Sequence, residues 1–233
     1  MKALARRSAG DLPLRSGPQR REYEAVADRI AADAPGHVLD WGCGWGLQSE
    51  LMLQRGLRVT SFEYEEGLPE PTVKPLERFS HIHAHKSPDP VKLPFDDDSF
   101  DAVLSCGVLE HVMDPEGSLD EIHRVLRKGG TLYVYKLPNS LSYLEWISRR
   151  IGIYHHGVHP FDKLYTLAGG RALIERHGYA VLEARHANML PLTLPGRLAT
   201  RLAGVIWAAN RLLSRVPVLN RLATNVEYVA RSR

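Results

Sequence analysis

The sequence predicts an α/β fold built on a parallel sheet covered by helices on both faces, and three observations carry that prediction. Residues 37–64 read as strand, glycine-rich loop, helix and strand, the βαβ unit that parallel pairing requires. Downstream, short β-rich runs alternate with stretches of helical periodicity. The composition, 44% hydrophobic and 24% charged over 233 residues, is that of an ordinary globular chain and excludes disordered, collagenous and disulfide-framework classes. One domain carrying insertions fits the length.

Arg20 to Ala32 sets Tyr23, Val26, Ala27, Ile30 and Ala31 at helical spacing, and Pro35-Gly36 closes the segment. His37 to Trp41 is a short β-rich run stopped by Gly42, Gly44 and Gly46. Leu47 to Arg55 resumes helical character. A second strand, Leu57 to Tyr64, follows after a single helix, which calls for a right-handed crossover. Further strands are predicted at His81 to His85, Asp101 to Cys106, Thr131 to Lys136, Ala180 to Ala187 and Asn225 to Arg231. Helices fit between them at Pro115 to Arg127, ended by Lys128-Gly129-Gly130, and at Leu167 to His177, with Thr166 as N-cap and Gly178 as the residue after the end. Pro138 to Asp162 and Met189 to Thr224 break the alternation and read as insertions. Within the second, Leu202, Val205, Ile206, Ala209, Leu212, Leu213 and Val216 form one helical stripe, with Arg197, Arg201, Arg211 and Arg215 on the opposite side.

The net charge of +3 is too small to argue for nucleic acid, but it is unevenly spread. Residues 196–233 hold seven Arg against Glu227 alone, and residues 1–39 are also basic, which leaves the centre acidic. Such a tail suits an anionic surface, so 196–217 is read as a region for peripheral membrane contact, with a solvated or internally packed helix face as the alternative. The longest apolar run, Leu202 to Ala209, is too short to span a bilayer. Residues 1–17 carry Lys2, Arg6 and Arg7 without an apolar h-region, and there are two cysteines, so a reducing cytoplasmic location is the expectation.

The glycine loop Asp40-Trp-Gly-Cys-Gly-Trp-Gly46 is the strongest chemical signal. Ligands of open parallel sheets bind at the carboxyl ends of the strands, where glycine lets them approach the backbone. A dinucleotide fingerprint would place its third glycine at Leu47, so the spacing disfavours nicotinamide cofactors. Asp40 is placed to orient the loop and accept from a ligand ammonium. Glu63, at the end of the second strand, is placed to accept from both ribose hydroxyls. Asp89 follows the third strand and is placed to accept from an adenine amino group, although Pro90 has no N–H to give the ring.

With these residues the chain resembles the class I S-adenosylmethionine-dependent methyltransferases, in the small-molecule branch that includes quinone-biosynthesis enzymes. Asp40-x-Gly-Cys-Gly-x-Gly46 resembles their first motif and Glu63 their ribose acid. Leu93-Pro-Phe-Asp-Asp-Asp-Ser-Phe-Asp101, Leu109-Glu-His-Val112 and Leu126-Arg-Lys-Gly-Gly130 extend the resemblance into the fifth strand. It implies a Rossmann-like seven-stranded sheet of order 3-2-1-4-5-7-6 with strand 7 antiparallel. Residues 20–137 would be the cofactor-binding half of a single domain, with 138–163 and 189–224 as helical, acceptor-capping insertions. It implies S-adenosylmethionine as cofactor, held by Asp40, Gly42, Cys43, Gly44, Gly46, Glu63, Asp89 and Cys106.

Methyl transfer to a hydroxyl also needs a base, and histidine is the usual provider. His111 follows the fourth strand, and His155, His156 and His159 lie in the first insertion, which in this family roofs the acceptor. These four are the catalytic candidates. The His-His-x-x-His spacing is poor evidence for metal, and Gly107 stands where some quinone enzymes carry a further Glu, so no metal is assigned. Neither cysteine looks nucleophilic. The expected activity is therefore methylation, on oxygen, of a small or amphipathic acceptor. A non-catalytic cofactor-binding module docking on a membrane or partner, or a nicotinamide-dependent oxidoreductase, are the rivals. No separate nucleic-acid recognition domain fits in the length.

Overall fold

The computed structural model describes residues 16–64, 82–150, 162–193 and 196–233. Seven strands form one sheet: β1 (His37–Trp41), β2 (Arg58–Tyr64), β3 (Ala84–Ser87), β4 (Phe100–Cys106), β5 (Leu126–Pro138), β6 (Tyr179–Ala187) and β7 (Asn225–Ser232). Their spatial order is β3-β2-β1-β4-β5-β7-β6. The first five pair in parallel, and β7 runs antiparallel to both β5 and β6. The carboxyl ends of β1, β2, β4 and β5 therefore share one edge, which is where the glycine loop emerges.

Alternation along the strands divides the core into two layers. Leu39, Val103, Leu132 and Val134 face one side, where Leu119 and Ile122 of α3 (Pro115–Val125) and Leu173 and Ile174 of α5 (Leu167–Arg176) cover them. Val38, Ala102, Leu104, Tyr133 and Tyr135 face the other side, under Val26, Ala27 and Ile30 of α1 (Gly17–Ala32) and Leu51 and Met52 of α2 (Leu47–Leu53). Burying both faces of a parallel sheet is what makes its strands read as continuous apolar runs. Asp114 caps α3 by accepting from Gly117 N–H at 2.9 Å, and Thr166 caps α5 by accepting from Gly169 N–H at 2.9 Å.

Several elements differ from the sequence expectation. β3 begins at Ala84 because its register is set by the carboxyl half of β2, Ser61 to Tyr64. β5 starts five residues early, at Leu126, because the ladder opens with Phe100 opposite Leu126 and bulges before Ala102 meets Thr131. Gly129 (φ +77°) lies inside that bulge and does not end the element. The first insertion is helical as expected, with α4 (Tyr143–Arg150) occupying part of it.

The predicted C-terminal helix is divided into α6 (Arg197–Arg201) and α7 (Ala203–Leu213), broken at Leu202 (φ −91°, ψ 7°) and followed by a 3₁₀ turn, Leu219–Leu222. Its stripe does not face inward as a unit. Ala203 and Asn210 are buried and Ile206, Trp207 and Leu213 half-buried, on the side packed against α1, whereas Leu202, Val205, Leu212 and Val216 are exposed. The inner face is chosen by what α1 admits: the Trp207 indole N–H donates to Glu22 Oε2 at 3.1 Å, and Gly17 lies close to Thr200 and Ala203.

Candidate active site

The loop after β1 is held from both ends. Cys43 N–H donates to Phe62 O on β2 at 2.9 Å, and Gly46 N–H returns to Cys43 O at 2.8 Å before α2 begins. Gly42 (φ +71°) leaves no room for a side chain, since a Cβ there would stand 2.5 Å from Val108. Gly44 (φ +51°) is the opposite case: among the described residues, its chain neighbours aside, no atom lies within 4 Å of where its Cβ would be. Its backbone thus forms an open cradle floor at the strand edge, the arrangement that lets a ligand come within contact of the main chain.

Glu63 fixes that floor. Its Oε2 accepts from Gly44 N–H at 2.6 Å and its Oε1 from Tyr64 N–H at 3.0 Å, so the carboxylate braces the loop and each oxygen retains lone-pair capacity for a hydroxyl. Burial raises its pKa, opposed by the two amide donors. Asp40 lies one layer deeper, only 2% exposed. It accepts from Ser49 Oγ at 2.5 Å, and Ser49 meets Ser61 at 2.7 Å, which ties β1, α2 and β2 together beneath the loop. Burial pushes the Asp40 carboxyl up to about 6.

Asp89 is exposed beyond β3, and its Oδ1 accepts from Val91 and Lys92 N–H, which lower its pKa. Cys43 is buried, and burial raises its thiol pKa; the Cys106 thiol, at the end of β4, is pushed up to about 12 by the same cause. Thiols so placed stay protonated at neutral pH and pack as small apolar groups.

A polar cluster stands beyond β4. Gly107 N–H donates to Tyr135 O, which turns the chain sharply, and His111 follows on the turn closed by its N–H to Val108 O. The His111 Nδ1 lies 2.8 Å from Asp162 Oδ1, and its Nε2 is 3.8 Å from Glu110 Oε1. Lys163 N–H donates to Glu110 O, and Tyr165 N–H to Pro138 O, so residues 162–165 are strapped between the segments leaving β4 and β5. An ionised Asp162 carboxylate can only accept, so this pairing makes Nδ1 the donor of a ring that is 41% exposed. Glu110 is buried, which pushes it up to about 7, and its Oε2 has no partner among the described residues. Tyr165, also buried at its hydroxyl, is raised to about 12 by burial and by Glu110.

The structure therefore brings Gly42, Cys43, Gly44, Gly46 and Glu63 into one cradle, with Asp40 as its buried support and His111 on the neighbouring strand end. His155, His156 and His159 lie outside the described residues. Sequence reasoning missed Asp162, which has no local signature, and Lys136. The latter ends the regular part of β5 in a left-handed conformation (φ +62°), half-buried, with its ammonium 4.0 Å over the Tyr23 ring of α1. A non-glycine residue in that region at a strand end marks a constrained position, but periodicity carries no trace of it.

Residues 39–134 match a family model described as a methyltransferase domain. The chain is similar to a demethylmenaquinone methyltransferase of Clavibacter sepedonicus, 32% identical over 139 residues, 58% of this chain and 54% of that protein. The match thus spans little more than half of that relative. It is also similar to a ubiquinone biosynthesis O-methyltransferase of Pseudomonas aeruginosa, 30% identical over 185 residues, 74% of this chain and 76% of the relative. Among solved structures, a SAM-dependent methyltransferase from Thermotoga maritima aligns over 92% of this chain and 91% of its own with a TM-score of 0.59; at 16% identity this likeness is one of fold.

Proposed function

This chain belongs to the S-adenosylmethionine-dependent methyltransferases, and from that premise we propose that it methylates a hydroxyl of a small amphipathic acceptor of the quinone type. The observation that carries the oxygen assignment is the Asp162–His111 pair, an oriented imidazole at the strand end beside the glycine cradle. The cradle fits the cofactor: Gly44 leaves its backbone open, and Glu63 offers remaining lone pairs for ribose hydroxyls. When bound, S-adenosylmethionine supplies an electrophilic methyl group that needs no further activation.

The chain's own residues then have two tasks. Gly42, Gly44 and Glu63 fix the cofactor's position, and holding two reactants in line accounts for about 7–11 kcal/mol of a barrier. His111 Nε2 accepts the proton of the acceptor hydroxyl, a contribution of about 10²–10⁴ in rate. Asp162 holds the ring's tautomer and stabilises the imidazolium that forms. The quinone-biosynthesis names of the relatives support the acceptor class.

The test is incubation with methyl-labelled S-adenosylmethionine and a panel of catechol and hydroxyquinone acceptors, with products identified by mass spectrometry. Label on oxygen supports the reading. Label on ring carbon, or no turnover with retained cofactor binding, overturns the oxygen assignment or the enzymatic one respectively.

A further inference from the structure

We propose that the outward face of α6, α7 and the following 3₁₀ turn is a docking surface for an anionic lipid bilayer. The inference rests on the surface alone and holds whatever the acceptor is.

Leu198, Val205 and Leu212 recur at seven-residue intervals and are 70%, 66% and 67% exposed. Leu202, Val216, Val218, Leu219 and Leu222, on the same stretch of chain, are also 39–73% exposed. The inward side is already occupied by α1, so these residues form a second apolar strip that the described residues leave exposed. Contiguous apolar surface of this kind marks an interaction site.

Charge identifies the occupant. Arg197, Arg201, Arg211, Arg215 and Arg221 are all exposed, and no Asp or Glu occurs between Glu183 and Glu227. None of the five makes a side-chain ion pair among the described residues; the Arg211 guanidinium stacks 4.8 Å over Trp207, and the Arg221 carbonyl accepts from Asn139 Nδ2 at 2.8 Å. Arg197, Arg201, Arg211 and Arg215 repeat at intervals of four within each pair, which sets them as a row alongside the apolar strip. A second copy of this chain meeting the same face would set arginine against arginine. A bilayer boundary offers the matching layers, acyl chains below and phosphate above, so that leucine and valine enter while the guanidinium groups remain at the headgroups.

The experiment is flotation of the full chain with vesicles of phosphatidylcholine alone or with about 30% phosphatidylglycerol, at ~0.05 M and ~0.5 M salt. Wild type is expected to float with the anionic vesicles at low salt and to lose most of that binding at high salt. Replacing Arg197, Arg201, Arg215 and Arg221 by Gln should lower partitioning by up to about 1000-fold, and L198Q/V205Q/L212Q should also weaken it, with circular dichroism and melting showing both variants folded. No flotation of the wild type at low salt overturns the proposal, as does flotation of both folded variants at the wild-type level. Concentration-dependent self-association without flotation also overturns it and assigns the face to a second copy.

Discussion

Asp162 Oδ1 stands 2.8 Å from His111 Nδ1 although 51 positions of sequence separate them. The contact exists because β5 intervenes between the two segments and the hydrogen bonds of Lys163 and Tyr165 bring the chain back beside β4. With the Asp162 side chain 3% exposed, water competes little for its carboxylate, and the ring is held in one orientation.

Asp162→Asn should lower kcat by about 10- to 100-fold while leaving cofactor affinity and acceptor KM near wild type, since general-base assistance as a whole contributes about 10²–10⁴. His111→Ala should cost more. In the double variant the Asp162 change should add nothing, because it acts through the imidazole; steady-state kinetics of the four proteins checks this, and additive losses would remove Asp162 from the base.

Glu63→Ala should weaken S-adenosylmethionine binding by roughly 1.5–3 kcal/mol, the range for hydrogen bonds to a charged group. It should also loosen the loop, since Gly44 and Tyr64 N–H lose their acceptor. Isothermal titration measures the first effect and hydrogen exchange at residues 42–46 the second. Gly44→Val should abolish binding on two counts, because its side chain would fill the ligand's space and because φ +51° strains a β-branched residue and distorts the loop locally, while the sheet should still fold.

Glu110 makes stability depend on pH. Its pKa is raised by burial from an ordinary 4.5 to about 7 in the folded state, so the folded form binds more protons between those values. Stability is fully present below about pH 4.5 and falls as pH rises through 7, by about 3 kcal/mol in all from this group. Asp40 and Glu227, raised to about 6 and 7 by burial, slope the same way. Urea melts from pH 5 to 8 should therefore show a shallower decline for Glu110→Gln than for wild type; parallel curves would refute the assignment.

Asn210 anchors α7. Its Oδ1 accepts from Leu190 N–H at 2.5 Å and its Nδ2 donates to Leu190 O at 3.5 Å. Asn210→Leu leaves both backbone groups unmet and should cost about 1–3 kcal/mol in urea-melt stability. Faster amide exchange in 203–213, with β1 and β4 unchanged, would locate the loss.

The cradle was legible because its parts are local. The glycines, Asp40 and Glu63 sit within one βαβ unit whose strand ends converge by geometry alone, and the sheet order follows from the resemblance of those same motifs. What the sequence hid depends on partners distant in the chain. Nothing near Asp162 announces His111, and the Leu198 to Val216 stripe shows equal apolar character on the side α1 covers and the side it leaves open. Packing against α1, through Ala203 and the Trp207–Glu22 bond, makes that choice. The double glycine at 129–130 looks like a stop because a bulge and a helix end use glycine for the same conformational reason.

The placement of β7 between β5 and β6 orders how the sheet can form. β6 has no strand to join until Asn225–Ser232 exists, since β7 is its neighbour and also the neighbour of β5. On a ribosome, β1 to β5 can zip together in parallel while β6 waits unpaired, with the side chains of Tyr179 and Ala187 still in water. Completion is therefore a late, long-range event, closing loops of high sequence separation, the kind of step that slows folding. Until it occurs, the open edge of β5 and the loose β6 are both exposed strands, and the nascent chain at that stage is the one that most needs shielding from aggregation.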